Sequence, residues 1–345
     1  MRRILIDDRI TNLARRYSEG VFTESRSNRI DMPLERLRAL YGRLYKQEQY
    51  HRYAMYVWNI IVHYREILRL EPQDFFEYYI NYFADITSEE MSQKIAVSYQ
   101  TNEQPHIKVP QDRQFNELVQ WAMRYKDLRA VDYMYYLREL NIRTCVYCNA
   151  QYAIVVEDTK DDGEEKKVAL FQLDHFWPES EYPFLCTTLF NLHPCCANCN
   201  LHKSDKKSDF NLYTRNEKDL SPFWFELESG ENIDGVRGYD YKDLNITLQS
   251  RNRKLLDNHQ ERFLIDKIYK HHNKEAQETI VRLKINDEAY RKQLSTCLNS
   301  LFPDGVEHPE RFFWGHEMNE EGVHERPLNK LVQDIVAFYK DVSIR

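Results

Sequence analysis

A mostly helical α+β fold is what this sequence predicts, on three observations. Glycine is scarce, with 9 residues in 345, and proline reaches only 11; a turn-rich β-sandwich uses more of both. Apolar residues recur at i, i+3 and i+4 towards both ends of the chain, the period of helices packed on one face. Between those ends the texture changes at Thr144 to β-branched runs, and six of the seven cysteines fall between Cys145 and Cys199.

The elements run in order along the chain. From Pro33 to Leu70 the stripe Leu34, Leu37, Leu40, Tyr41, Leu44, Tyr45 continues through Tyr53, Tyr56, Val57, Ile60, Ile61 and Tyr64. Glu71-Pro72 interrupts it, and Gln73 to Phe83 resumes. Ser88 to Gln111 is polar and reads as a loop; Arg113 to Tyr125 and Leu128 to Leu140 read as helices. Residues 1–140 are therefore expected to form an N-terminal helical domain. Gln151 to Val156 and Val168 to Phe176 are strand candidates, joined as a hairpin around the turn signal Asp162-Gly163. Ser180 to Pro194 reads as a loop and Cys196 to about Lys207 as a short helix, so a module over 141–215 runs strand, strand, helix. Residues 216–345 are expected to be mainly helical. They start irregularly to about Gln249. Helices are then expected over Asn258 to Lys284 and Asp287 to Leu298, with a loop from Pro303 to Pro327. A last helix runs from Leu328 to Tyr339, with Pro327 suited to its first turn.

Composition narrows the function classes. The longest apolar runs, such as Ala54 to Trp58, fall far short of the ~18 residues of a membrane span. The first residues offer no apolar segment of a secretory signal, so the expected compartment is the cytoplasm, with no membrane partner. Neither glycine-rich phosphate-binding pattern of nucleotide sites occurs. In a reducing compartment, clustered cysteines point to metal or catalysis rather than to disulfides.

Cys145-Val146-Tyr147-Cys148 and Cys196-Ala197-Asn198-Cys199 are two C-x2-C pairs, 47 residues apart. Four thiolates suit a tetrahedral structural Zn²⁺, and an insertion of that length is acceptable if it folds between the two knuckles. Cys195 is an alternative to Cys196, with C-x3-C spacing. Cys186 and Cys297 are expected to be small buried residues.

Between the pairs lies Leu173-Asp174-His175-Phe176-Trp177-Pro178, then Phe190-Asn191-Leu192, then Cys199-Asn200-Leu201-His202-Lys203. Phosphodiester hydrolysis needs a base near neutral pH, and His175 is suited to it. It also needs a hard cation on oxygen ligands, which points to Asp174 and, from the helix, Asn200 as catalytic ligands of Mg²⁺ or another divalent ion. Asn191 suits the role of holding the imidazole in one tautomer. A zinc deaminase is a poorer match: His175-Phe176-Trp177 lacks the glutamate of H-x-E, and Asn198 stands where the second cysteine would be.

These residues resemble the HNH (ββα-metal) endonucleases, many of which carry two flanking C-x2-C knuckles. Leu173 to Ser180 matches the first element, Asn191-Leu192 the second, and Cys196 to Lys203 the third. Eight residues separate Asn191 from Asn200, which is the family spacing between its Asn and its final His. The chain departs from the pattern in carrying Asn there, and His202 is the competing ligand. The resemblance covers roughly Thr144 to Asp209. It implies a central zinc-supported ββα-metal module flanked by helical regions, and hydrolysis of nucleic acid, DNA favoured. Tyr182-Pro183-Phe184-Leu185 and Glu325-Arg326-Pro327-Leu328-Asn329-Lys330 look further like bacterial anti-phage defence nucleases of the Septu (PtuB) kind, which implies a separate ATPase subunit. A ribonuclease with the same site, and a non-catalytic zinc-bearing adaptor, are the alternatives.

The net charge of −7 hides an uneven distribution. Residues 1–70 hold 14 basic and 8 acidic residues, a net of +6, which leaves −7 − 6 = −13 for the rest. Residues 251–292 nevertheless hold 11 basic and 7 acidic residues. Phosphate needs local positive surface, so Lys203, Lys206 and Lys207 beside the site, with Arg251, Arg253 and Lys254, are the candidate nucleic-acid contacts.

Overall fold

The computed structural model describes residues 1–22, 32–96, 107–131, 133–159, 165–228, 244–285, 288–302, 304 and 310–342. It is 55% helical with small sheets, an α+β fold as predicted. The Asp162-Gly163 turn and parts of both expected loops, 97–106 and 305–309, lie outside the described residues.

The chain starts with a short strand β1 (Ile4–Leu5) and α1 (Asp8–Gly20). Asp7 caps α1 by accepting from the Ile10 amide at 2.8 Å, satisfying a donor the helix itself leaves free. The long periodic stretch divides into α2 (Pro33–Tyr45), α3 (His51–Val62) and α4 (Tyr64–Leu68). Leu37, Leu40 and Leu44 of α2 and Ala54, Val57 and Ile60 of α3 are buried, so one apolar stripe becomes two facing helices. Next come α5 (Phe75–Tyr82), α6 (Ser88–Met91), β2 (Lys94–Ile95) paired with β3 (Arg113–Gln114), then α7 (Phe115–Ala122), α8 (Tyr125–Val131) and α9 (Tyr133–Glu139).

These helices pack directly on the central segment. Phe83 stacks on Phe184 with ring centroids 4.0 Å apart, and Phe75 on Trp177 at 4.3 Å; such pairs contribute about 0.5–1.5 kcal/mol beyond their burial. The Tyr17 hydroxyl donates to the Thr187 carbonyl at 2.6 Å. One buried apolar cluster joins residues from Met1 to Ile335, so all three segments contribute to a common core.

Two antiparallel hairpins occupy the centre. β4 (Ile154–Thr159) pairs with β5 (Glu165–Leu170), as the sequence predicts. The expected second strand, however, divides at Phe171. Its last part, β6 (Gln172–His175), pairs with β7 (Leu192–Cys195), in a stretch expected to be loop. The apolar run from Val168 continues through Phe171 with no glycine, proline or turn residue before Leu173, so the local pattern does not mark the point where the partner strand changes. The strand-strand-helix order is therefore β6, β7 and α10 (Ala197–Lys203), not the predicted hairpin followed by a helix. β8 (Tyr213–Thr214) then pairs in parallel with β1, tying the chain's start to the segment after α10.

Another correction lies in the segment expected to be irregular: β9 (Trp224–Glu228) and β10 (Asn245–Gln249) pair antiparallel. The single expected helix over Asn258 to Lys284 is three, α11 (Arg253–Phe263), α12 (Ile265–Tyr269) and α13 (Asn273–Ile285). Leu264 breaks it with a left-handed φ of 53°. That turn lets the Asp266 carboxylate accept from the Leu248 amide at 2.8 Å, so tertiary pairing with β10 overrides a continuous helical pattern. The remaining helices are α14 (Glu288–Leu301), α15 (Glu310–Trp314) and α16 (Asn329–Val342). Cys297, expected to be buried, is exposed on α14, whereas Cys186 is buried as expected. Among the described residues no helix is long and apolar enough to cross a membrane.

Candidate functional site

The two C-x2-C pairs meet. The Sγ atoms of Cys145, Cys148, Cys196 and Cys199 all lie within 4.8 Å of one another, in a buried position. A ZnS₄ tetrahedron with Zn–S near ~2.3 Å has sulfur–sulfur edges of about 3.8 Å, so the donor set fits a structural zinc ion. Cys196 rather than Cys195 completes it; Cys195 is buried in β7 outside the cluster. Among the described residues it is the one group of three or more His, Cys, Asp or Glu side chains placed to hold a metal.

Local backbone geometry explains the convergence. After Cys148 the chain turns at Asn149 with φ 53°, the Asn149 amide returns to the Cys145 carbonyl at 2.9 Å, and the Ala150 amide donates to Cys148 Sγ at 3.4 Å. Cys196 caps α10, its Sγ accepting from the Cys199 amide at 3.5 Å. N–H groups directed at sulfur favour thiolate. Hydrogen bonds from the other three cysteines hold the Cys196 thiol well below its ordinary pKa, whereas burial pushes Cys145 up. Metal binding requires the thiolate form, so a dication would displace the thiol protons of the cluster.

Tyr147, inside the first pair, links this cluster to the second one. Its ring stacks on Phe263 of α11 at 4.1 Å, and its carbonyl faces His259 Nε2 at 2.9 Å. Its hydroxyl donates to Asp174 Oδ2. His193 Nε2 accepts from the Leu212 amide at 3.3 Å, which assigns the proton to Nδ1, 3.0 Å from the Tyr147 oxygen. Burial, and then the charge of Lys203, lower the His193 pKa to about 3, so the ring is neutral. The other oxygen of Asp174 accepts from Lys203 Nζ at 2.8 Å, and that ammonium also donates to the His175 carbonyl at 3.0 Å. Burial raises the Asp174 pKa, and Lys203 opposes the shift.

His175 ends β6 and is 6% exposed. Its Nε2 lies 3.0 Å from the Cys186 carbonyl. A carbonyl only accepts, so Nε2 carries the proton and Nδ1 is the basic nitrogen. Nδ1 faces Glu179 Oε2 at 3.6 Å. Burial lowers the His175 pKa, with Glu179 opposing the shift; burial raises that of Glu179. Tyr125 covers the ring at 4.7 Å.

Asp174, His175 and α10 are thus brought together, but several expected contacts differ. Asn191 does not hold the imidazole. It accepts from the Trp177 amide at 2.8 Å and donates to the Trp177 and Leu185 carbonyls at 3.2 and 3.1 Å, fixing the turn after β6. The tautomer is set by Cys186 instead. Lys203 is not a surface cation: it is 2% exposed and paired with Asp174. It lies three residues after Asn200, which places both on one face of α10. His202 is turned to α11, its Nδ1 2.9 Å from the Arg262 carbonyl. The Asn200 side chain is half-buried and makes no hydrogen bond among the described residues, whereas that of His202 is engaged. Lys206, Arg251, Arg253 and Lys254 are exposed, with Arg253 paired to Asp257 at 3.0 Å. Lys207 lies over the Trp177 ring at 3.9 Å.

Three residues of the cluster carry roles that the sequence did not assign. Tyr147 lies within the first knuckle and Glu179 within the first matched element, so position offered a signal for both; His193 has none, because only pairing of β6 with β7 sets it beside Tyr147. No protein-family model matches this chain, and no curated protein or solved structure matches it either.

Proposed function

We propose that the chain is a metal-dependent endonuclease of the HNH kind, hydrolysing phosphodiester bonds in nucleic acid, DNA favoured. One observation carries the reading: a buried histidine stands at the end of β6 beside Asp174, with Nδ1 as its basic nitrogen, facing the Glu179 carboxylate at 3.6 Å. The β6–β7–α10 unit around it is braced by four cysteines suited to zinc. In this reading the proton of an attacking water passes to His175 Nδ1 as the water oxygen bonds phosphorus and the bond to the leaving oxygen breaks. Asp174 and Asn200 would hold a divalent ion, which supplies charge neutralisation at phosphate. Asn191 acts by fixing the turn that presents His175. The Septu-like segments extend the proposal to an anti-phage effector working with an ATPase subunit.

The test is metal-dependent nicking of plasmid DNA by the pure protein, alone and with the product of any ATPase gene found next to its own. His175→Gln should reduce the rate by about 10²–10⁴ with zinc content and Tm unchanged. A fully active variant overturns the base assignment.

A specific observation favours a second reading. Both oxygens of Asp174 are already engaged, by Tyr147 and Lys203. A zinc-bearing binding module, with this network as its structural core, needs no opening of that pair. Failure of Mg²⁺ or Mn²⁺ to support cleavage of DNA or RNA, with or without the ATPase, decides for it.

A further inference from the structure

The corner between α7 and α8 lines a cavity of about 470 Å³, with Arg36, Arg113, Glu117, Trp121, Lys126 and Asp127 on its wall. Such a volume is in the range of ligand sites. Its charges are unevenly matched. Asp127 is taken by Arg124 at 3.0 Å, and the Glu117 carboxylate accepts from the Gln114 amide at 3.2 Å, capping α7. Arg113 and Lys126 are exposed and have no ion pair or hydrogen bond among the described residues. Arg36 lies 5.1 Å over the Trp121 ring and donates to its carbonyl, which holds the half-buried indole in place on the cavity wall.

The cavity also adjoins the His175 centre. Gln120, on its wall, donates to the Glu179 carbonyl at 3.3 Å. Tyr125, between wall residues Arg124 and Lys126, covers the His175 ring, and its hydroxyl donates to the Leu173 carbonyl at 3.2 Å. Lys126 is close enough to Glu179 to lower its pKa, against the larger effect of burial. Gln120 and Tyr125 thus tie the wall that carries the two exposed cations and the half-buried indole to the residues around His175.

We infer that this cavity is a subsite for single-stranded nucleic acid next to the scissile phosphate, Arg113 and Lys126 taking a backbone phosphate and Trp121 stacking on a base. This rests on the nuclease reading above. Phosphate contacts alone would be salt-sensitive and unselective; an aromatic platform adds sequence-tolerant affinity for unpaired bases. A duplex, whose bases are stacked inside, gains nothing from Trp121.

The experiment is fluorescence anisotropy of a labelled single-stranded oligonucleotide with the full-length, zinc-loaded His175→Gln protein, across a salt series. Arg113→Ala with Lys126→Ala should lower the slope of log affinity against log salt by about 1.4. Trp121→Leu should weaken binding about five- to hundredfold, with Tm reported alongside; Trp121→Phe should recover most of it. The paired change Arg65→Ala with Arg69→Ala, at two exposed arginines outside every proposed contact, is the control for net charge. An effect of that control equal to the Arg113/Lys126 effect overturns the subsite, as does unchanged binding of the Arg113/Lys126 variant. Cleavage by otherwise wild-type protein separates the two proposals. Binding that depends on the cavity without any cleavage refutes the nuclease reading and leaves the subsite. Cleavage with KM unaffected by Arg113→Ala and Lys126→Ala refutes the subsite and leaves the nuclease.

Discussion

The two central hairpins lie side by side in sequence and differ in almost every physical respect. β4–β5 is easy to read: β-branched runs flank a charged turn, and Val156 and Leu170 are 37% and 55% exposed. β6–β7 is buried along nearly its whole length, with burial of Leu173, Asp174 and His175 on one strand and of all four residues on the other. Its residues include Asp174, His175 and His193, types that rarely enter a core without partners. The chemistry sits on the hairpin with the weaker strand signal. A strand that carries a polar network is held by that network and by its neighbours, so its sequence need not alternate.

The contrast predicts how each hairpin responds to damage. The largest effect falls on the metal cluster behind β6–β7. Cys148→Ser should reduce bound zinc to background and abolish cooperative unfolding of residues around it, because structural zinc sites contribute folding energy outright. Zinc analysis and a thermal melt measure this; a zinc-free variant with the parental Tm would break the comparison.

Lys203→Met comes next. It leaves the Asp174 carboxylate buried without its cation, at a cost of about 3–5 kcal/mol. Adding Asp174→Asn should recover much of that loss, since the unmatched charge is then gone. Urea denaturation of the single and double variants reads the coupling, and two purely additive losses would show that the ion pair does not act as a unit.

An intermediate effect is set by pH. Burial depresses the pKa of His259 and His324 to about 3, far below the ~6.5 of an unfolded chain. The unfolded state therefore binds more protons, and stability is present above about pH 6.5 and lost as pH falls towards 3. Each histidine should cost about 1 kcal/mol at pH 5.5. His259, which bonds the Tyr147 carbonyl, reports on the β6–β7 side. His259→Gln should reduce the difference in unfolding free energy between pH 7.5 and 5.5 by that amount, and an unchanged difference would count against a neutral buried ring. The smallest effect is on the other hairpin: Val156→Thr, at an exposed position, should stay within about 0.5 kcal/mol of the parent.

Legibility from sequence divides along the same line. The helical character of both ends, the pairing of Ile154–Val156 with Val168–Leu170 and the four clustered cysteines rest on spacing within a few residues and were legible; the bounds of the long C-terminal helix and of the second strand were not. Asp174 and His175 stand out in the sequence because they are adjacent within a motif. The role of Lys203 was not legible, because an isolated lysine after a knuckle is usually solvated and only α10 packing under β6 buries it. Asn191 was legible as a residue but not in its role. Its partners Trp177 and Leu185 are brought to it by the turn after β6, and the imidazole is not. The break at Leu264 leaves no trace in the sequence, since the apolar period runs through it and the gain from Asp266 on β10 is a non-local one.

By itself the sequence determined the helical α+β class and the donor set for one structural metal, since both depend on local period and spacing. Tertiary structure decided which hairpin bears the buried cluster, which nitrogen of His175 is basic, and that Asp174 is matched by Lys203. Those outcomes depend on the pairing of β6 with β7 and on the desolvation it imposes. Burial strengthens every unmatched charge and hydrogen bond, so it fixes protonation and partners in a way no local pattern records.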